Sequence, residues 1–155
     1  MASIKGVEFR GVKSFSGLDG YGMEASIYLD GKKAGHYFDE GCGGEAHIDI
    51  ENVTFEKALN ARAEAFFKEY PDKFKSLKLF FCILSEFTDT EKTYRKYTKK
   101  GYKILVAQNC LIESDVSSSV VFSTSKNLSD ADMNKLSAKI PNAHIYKSLD
   151  DFIIA

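Results

Sequence analysis

The feature that most constrains the fold is an alternation of apolar and polar positions between Met23 and Leu29. Every second residue in this range is apolar, which is the period of a strand with one buried face. Asp30-Gly31 follows at once and is a typical two-residue hairpin turn. Because parallel strands need a connection of about a dozen residues or more, this short turn predicts an antiparallel pair.

Strand patterns also lie on both sides of this turn. Ile4 to Phe15 is rich in β-branched and aromatic residues and contains two glycines, which indicates one bent strand or two short strands. Lys32 to Phe38 is predicted as the second arm of the hairpin, and Ala46 to Ile50 repeats the alternation. Three residues of the second arm are expected to share one face: Ala34, His36 and Phe38.

Helical spacing of apolar residues follows these strands. Thr54 is a suitable N-cap for a first helix, which Pro71 ends. A second helix is expected to begin near Asp72, and Gly101 stands where a C-cap glycine is common. Two central helices are therefore predicted.

Shorter elements are predicted in the C-terminal part of the chain. They are Tyr102 to Ala107, Val120 to Thr124, a helix opened by Ser129 and Asp132 and ending near Lys139, and His144 to Tyr146. The expected fold is α+β, with an N-terminal antiparallel sheet of three to four strands, the two helices and a C-terminal β-β-α-β segment. Since no stretch has the composition of a linker, one compact domain is expected over residues 1–155.

Composition excludes several classes of function. A formal net charge of -1 argues against both a basic coat for nucleic acid and a strongly acidic mimic of DNA. No window resembles a signal peptide or approaches the roughly 20 apolar residues that cross a bilayer, so we expect a soluble cytoplasmic protein with no membrane partner. The widely spaced cysteines Cys42, Cys82 and Cys110 are expected to be reduced thiols.

Charge is segregated along the chain. The acidic segment, His36 to Glu56, contains six carboxylates and no lysine or arginine. Its glycine-rich loop, Asp39 to Glu45, lacks the lysine and the following helix of a phosphate-binding loop, so the loop is expected to contact a protein. The residues predicted to bind this partner are Asp39, Glu40, Glu45, His47 and Asp49.

Catalytic and metal sites are weakly indicated in this segment. The alternating histidine and carboxylates have the chemistry of metal ligands, but their spacing matches no metal motif, and a solvent-facing strand has the same pattern. Cys42 has no base that the sequence places beside it. We therefore predict no catalytic residue, no metal and no cofactor.

The basic segment, Lys92 to Lys103, contains six cations and no carboxylate, interleaved with tyrosines. Cations and stacking rings together are typical of sites for anions, nucleotides or single-stranded nucleic acid. The candidates are Tyr94, Arg95, Lys96, Tyr97 and Lys99. Alternatively, the cations form a solvent-exposed face of a helix and the tyrosines of the segment lie in the core.

Several short motifs resemble those of small uncharacterised accessory proteins of phages and prophages of Gram-positive bacteria. They are Ile4-Lys-Gly-Val, Asp19-Gly-Tyr-Gly22, Tyr28-Leu-Asp-Gly-Lys-Lys33 and Asp39-Glu-Gly-Cys-Gly-Gly44. The resemblance implies a setting in which accessory proteins bind host factors, including components of antiviral defence. It provides no family catalytic residues.

The resulting expectation is a non-enzymatic phage accessory protein that binds and inhibits a host target in the host cytoplasm. It would act either as a steric, anti-CRISPR-like inhibitor or by sequestering a nucleotide signal. The alternative is a small metal-dependent enzyme acting on a nucleotide or nucleic acid, with His36 and His47 among its ligands. A homo-oligomer that pairs the acidic segment with the basic segment is a further expectation.

Overall fold

Strands dominate both ends of the chain, and the two long helices lie between them. The structure is a computed structural model that describes residues 1–72, 74–109, 111, 122–124, 129–140 and 142–155. In chain order the elements are β1 (Ser3–Ile4), β2 (Val7–Gly17), β3 (Gly20–Leu29), β4 (Lys32–Asp39), β5 (His47–Ile50), α1 (Val53–Glu69), α2 (Leu77–Lys99), β6 (Ile104–Gln108), β7 (Phe122–Thr124), α3 (Asp130–Ser137), β8 (Ala143–Tyr146), a 3-10 helix (Leu149–Phe152) and β9 (Ile153–Ile154).

The predicted arrangement of sheets is wrong. The larger sheet has six strands in the order β5-β4-β3-β2-β1-β9, rather than three to four N-terminal strands. Its last strand, β9, comes from the C-terminal end and pairs in parallel with β1, while the other pairs are antiparallel. A second sheet has the order β7-β6-β8. The protein is thus α+β, but the C-terminal segment is divided between two sheets, because the two-residue strand β9 is too short to show an alternation.

Local irregularities separate the structure from the simple strand pattern, and two of them lie at the start of the chain and in β4. Lys5 and Gly6 have positive φ angles of 53° and 78°, and they form the turn between β1 and β2. In β4, Ile27 pairs with Gly35 while Tyr28 pairs with Lys33, so Ala34 is an extra residue. This bulge reverses the alternation that follows.

The bulge corrects the predicted face of β4. Ala34 and Tyr37 are both fully buried, whereas His36 lies on the opposite face with a side chain that is 45% exposed. The prediction that Ala34, His36 and Phe38 share one face is therefore wrong. A period of two holds only while the strand has no extra residue.

The helices begin at side-chain caps that differ in part from those predicted. Asn52, not Thr54, caps α1 by accepting the N–H of Phe55 at 2.9 Å. α2 begins at Leu77, beyond the expected Asp72, because the hydroxyl of Ser76 accepts the N–H of Leu79.

The remaining boundaries lie close to those predicted. Gly101, with a φ of 91°, follows α2 as a C-terminal glycine, and its N–H donates to the carbonyl of Thr98. Ser129 caps α3 as predicted, although the helix ends at Ser137 rather than Lys139. Residues 120 and 121 of one predicted strand, and Cys110, lie outside the described residues.

The core is built from aromatic rings between the helices and one face of the larger sheet. Phe9 of β2 lies 4.9 Å from Tyr37 of β4 and 6.0 Å from Phe81 of α2, measured between ring centroids. Phe66 of α1 and Phe80 of α2 meet edge to face at 5.7 Å. This packing leaves alternate strand residues partly exposed on the other face of the sheet. Among the described residues, no helix is both long and apolar enough to span a membrane.

Candidate functional site

Three apolar side chains are exposed at the end of the β2–β3 hairpin, and they are called the hairpin tip: Phe15, Leu18 and Tyr21. Gly17 pairs with Gly20 across the two-residue turn at Leu18 and Asp19. Leu18 is 91% exposed and Tyr21 is 80% exposed. Single exposed apolar residues are common, but several on one projection are typical of an interaction surface.

The glycine-rich loop holds the hairpin in place. The N–H of Asp19 donates to the carbonyl of Gly41 at 3.0 Å. A Cβ placed on Gly17 would lie 2.3 Å from the same carbonyl oxygen, and Gly41 has a φ of +67°. Glycine is therefore required here because two backbones are in contact. The contact between the two backbones explains why Gly17 and Gly41 are glycines, so no phosphate ligand is needed to explain them.

Aromatic rings extend the hairpin tip across the open face of the sheet. Phe15 lies over Gly22, where a Cβ would be only 2.3 Å from its ring. The ring centroid of Phe15 is 5.9 Å from that of Phe38, which is 6.4 Å from the ring of His47. Exposed aromatic area therefore runs from the tip over β4 to β5.

Six carboxylates form the group that is called the acidic rim: Asp19 in the hairpin turn, Asp39, Glu40 and Glu45 in and beside the glycine-rich loop, and Glu86 and Asp89 on α2, where Asp39 acts on Glu86. Asp39 pairs with Met23 in the sheet and accepts the N–H of Gly41 at 2.9 Å. Glu40 is 3.8 Å from His47, and Glu45 forms an ion pair with Lys78. Within the described part of the chain, Lys78 is the only lysine or arginine within ion-pair distance of this rim. The rim therefore has an excess of negative charge.

Burial, neighbouring charge and hydrogen bonding shift the pKa values of three rim carboxylates. Partial burial raises the pKa of Glu86, and the carboxylates of Asp89 and Asp39 raise it further. Burial also raises the pKa of Asp89, although Lys92 opposes the change. At Glu45, the hydrogen bond from Lys78 and the charge of that lysine lower the pKa. A cation brought to Glu86 would relieve unfavourable charge.

Neither described cysteine has the surroundings of a nucleophile. Cys42 and Cys82 are free thiols. Burial, followed by the charges of Asp39 and Glu86, raises the pKa of the Cys82 thiol, so its thiolate is disfavoured. The thiol of Cys42 is exposed and donates to the carbonyl of Glu40 at 3.5 Å. Among the described residues, no three histidine, cysteine or acidic side chains are grouped to hold a metal ion.

The structure brings most of the predicted acidic site together. Asp39, Glu40 and Glu45 lie around the loop, and His47 lies on the neighbouring strand. Asp49 is exposed further along β5, where it is opposite His36 and outside the rim. The site therefore contains these residues except Asp49.

The basic segment is arranged differently from the predicted anion site. Tyr94 is only 7% exposed, its ring is 5.5 Å from Phe152, and its hydroxyl donates to the carbonyl of Lys147 at 2.8 Å. Tyr94 therefore packs in the core, as in the alternative interpretation of the basic segment, and it has no free face on which a ligand could stack.

The other predicted residues of the basic segment differ in their contacts with the rest of the protein. Arg95 binds the buried carboxylate of Glu91 through two nitrogens, at 2.8 and 2.7 Å. Tyr97 meets Tyr102 edge to face at 5.4 Å. Lys96 and Lys99 are exposed.

Six residues of the site were not among those predicted from the sequence: Phe15, Leu18, Asp19, Tyr21, Glu86 and Asp89. Leu18 carried a usable signal, since an apolar residue between Gly17 and Asp19-Gly20 is unusual for a tight turn. Glu86 and Asp89 gave no comparable signal, because they lie on α2, far from the hairpin in sequence.

Comparisons with protein-family models, with curated proteins and with solved structures found no match to this chain.

Proposed function

We propose that this protein is a non-enzymatic binding protein that docks on a partner protein through the hairpin tip and the acidic rim. The observation that carries the proposal is the pair of apolar residues Leu18 and Tyr21, 91% and 80% exposed, on a hairpin bordered by carboxylates. An apolar centre with a charged border is the usual composition of a specific protein interface.

The tip supplies the binding energy in this proposal, and the rim supplies the selectivity. Full burial of a leucine or tyrosine side chain contributes about 1.5–3 kcal/mol. Tyrosine is also common among the residues that dominate interface energies. Charges at a border contribute more to association rate and partner choice than to affinity. The partner is therefore expected to have an apolar pocket bordered by lysine or arginine.

The partner that we propose is a host protein of an antiviral-defence system, inhibited in the host cytoplasm by a phage accessory protein. The resemblance of the turn motifs to phage and prophage proteins supports this choice. Charge complementarity supports it as well, because proteins that bind nucleic acid present lysine and arginine to the phosphates. Occupying such a surface would block nucleic-acid binding directly. This mechanism is favoured over a nucleotide sponge, since Tyr94 is buried and Arg95 is paired with Glu91.

A small metal-dependent enzyme is the second candidate. One observation bears on it, the 3.2 Å contact between His36 Nε2 and Glu24 on the open sheet face, although no third histidine, cysteine or acidic side chain among the described residues is grouped with them to hold a metal ion. Loss of a nucleotide- or nucleic-acid-cleaving activity in His36→Ala, with the fold unchanged, would support it.

The decisive experiment is a pulldown from a host that carries defence systems, followed by identification of captured proteins by mass spectrometry. The wild-type protein is compared with Tyr21→Ala and Leu18→Ser. Phe74→Ala is the matched control, since Phe74 is also 80% exposed but lies outside the site. A specific partner should be lost with both tip variants and retained with the control. Capture that is equal for all four proteins, or no specific capture, contradicts the proposal.

A further inference from the structure

A second concave feature lies on another part of the molecule, between the 3-10 helix and β9 on one side and the strand β8 on the other. Its volume is about 290 Å³. Its accessible wall is formed chiefly by Tyr70, Asn109, His144, Asp150, Ile153 and Ile154. The size is near the lower end of the roughly 300–1,000 Å³ typical of small-molecule sites.

An aromatic stack fixes the geometry of this cleft. Tyr146 lies at its base, with its ring stacked on Phe152 at 4.5 Å and an interplanar angle of 8°. His144 meets the ring of Tyr146 edge to face at 4.6 Å. Because Tyr146 and Phe152 are at most 1% exposed, the imidazole rests on a rigid support.

Among the described residues that line the cleft, the charged side chains have one sign. The charged side chains that line it are Asp150 and Asp151, and none of the described lining residues is lysine or arginine. Asp151 is held in place because one of its oxygens accepts the N–H groups of Lys147 at 2.7 Å and Ser148 at 2.9 Å. Asp150 is exposed beside it. A phosphate or carboxylate ligand would be repelled here.

The protonation state of His144 also favours a cationic ligand over an anionic one. Burial lowers the pKa of His144, although the carboxylate of Asp151 opposes the change. The imidazole is therefore neutral near pH 7, and its unprotonated nitrogen is a hydrogen-bond acceptor. Hydrogen-bond acceptors and carboxylates suit a ligand that donates hydrogen bonds and carries positive charge.

We propose that this cleft binds a small organic cation, in which a primary ammonium group is joined to a short aromatic or aliphatic body. The ammonium group is placed at Asp150, and the apolar body lies against Tyr70, Ile153 and Ile154. This site is independent of the docking surface, because it shares no residue with the hairpin tip or the acidic rim. Each of the two proposals therefore stands or fails separately.

The test is a titration of the whole protein, followed through the histidine ring signals in NMR spectra. The chain has only three histidines, His36, His47 and His144, so the signals can be assigned by substitution. Tyramine is the cationic probe, and 3-(4-hydroxyphenyl)propionate is the anionic probe of similar shape. Tyramine should shift the His144 signals in a saturable way and leave those of His36 and His47 in place, whereas the anionic probe should have no effect.

Two variants locate the charge contact. Asp150→Asn should weaken tyramine binding by about tenfold or more, since it removes a charge-assisted hydrogen bond from an exposed, non-core position. Glu64→Gln, which changes an exposed carboxylate on α1, should bind tyramine as the wild type does. The proposal is overturned if both probes shift His144 equally, if neither does, or if Asp150→Asn leaves the affinity unchanged.

Discussion

The hairpin tip and the basic segment both combine aromatic residues with nearby charge, but the aromatic residue is exposed at the tip and buried in the basic segment. At the tip, Leu18 and Tyr21 lie in solvent. In the basic segment, Tyr94 is part of the core and Arg95 is paired with Glu91. The apolar groups are thus available for a partner only at the tip.

This difference in exposure follows from the secondary-structure elements in which the two groups of residues lie. α2 packs along the sheet, so a tyrosine on its inner face is covered by Phe152. The β2–β3 hairpin ends in a two-residue turn, and Leu18 within it is almost fully exposed. An interaction surface is therefore defined by exposure more than by composition.

The largest expected effect is the difference in stability between a substitution of the buried Tyr94 and a substitution of the exposed Tyr21. Tyr94→Ala should reduce the free energy of unfolding by about 3–5 kcal/mol, because it leaves a cavity in the core. Tyr21→Ala should change it by no more than about 0.5 kcal/mol, since the side chain is exposed. Chemical denaturation monitored by circular dichroism measures both. Similar losses for the two variants would contradict the comparison.

The next effect concerns the backbone contact that supports the tip. Gly17→Ala should lower the free energy of unfolding by about 1–3 kcal/mol, because its Cβ would meet the carbonyl of Gly41. Gly44→Ala is the control, since no atom lies within 4 Å of a Cβ there and its φ is not positive. The same denaturation measurement applies. If both alanine variants are as stable as the wild type, the glycines are not required for packing.

A third effect tests the ion pair that occupies the basic segment. Glu91 is 4% exposed and accepts the N–H of Ala2 at 2.5 Å in addition to binding Arg95. Glu91→Gln should cost about 1–3 kcal/mol, because it removes the charge from these buried hydrogen bonds. Glu64→Gln, on an exposed part of α1, should be nearly neutral in thermal unfolding. Equal melting temperatures for the two variants would show that the pair contributes little.

The smallest effect is a pH dependence at the acidic rim. Because the pKa of Glu86 is raised in the folded protein, its ionisation disfavours the fold. Its contribution to stability is fully present below the unfolded-state pKa and is lost as pH rises through the folded-state value.

Glu86→Gln should therefore raise stability near pH 7 by about a few tenths of a kcal/mol, since solvent screens an exposed group, and the gain should vanish in acid. Denaturation of both proteins across pH 4–8 measures the difference, with Glu64→Gln as the control. A gain that is independent of pH would contradict this account of Glu86.

Much of the local structure could be predicted from the sequence, but the site could be predicted only in part. The alternation from Met23 to Leu29 and the cap at Ser129 were confirmed, since each depends on neighbours in the chain. The face of β4 was predicted wrongly, because the extra residue Ala34 is visible only in the pairing with β3. The acidic loop was identified, whereas Glu86 and Asp89 were missed.

The amino-acid sequence by itself determined the hairpin turn at Asp30-Gly31, the helix cap at Ser129 and the segregation of charge, because these depend on the backbone preferences and ionisation of adjacent residues. The tertiary structure alone decided the return of β9 to the first sheet, the burial of Tyr94 and the grouping of α2 carboxylates around the hairpin. These features depend on contacts between residues far apart in the chain, which are selected by the packing of a shared core.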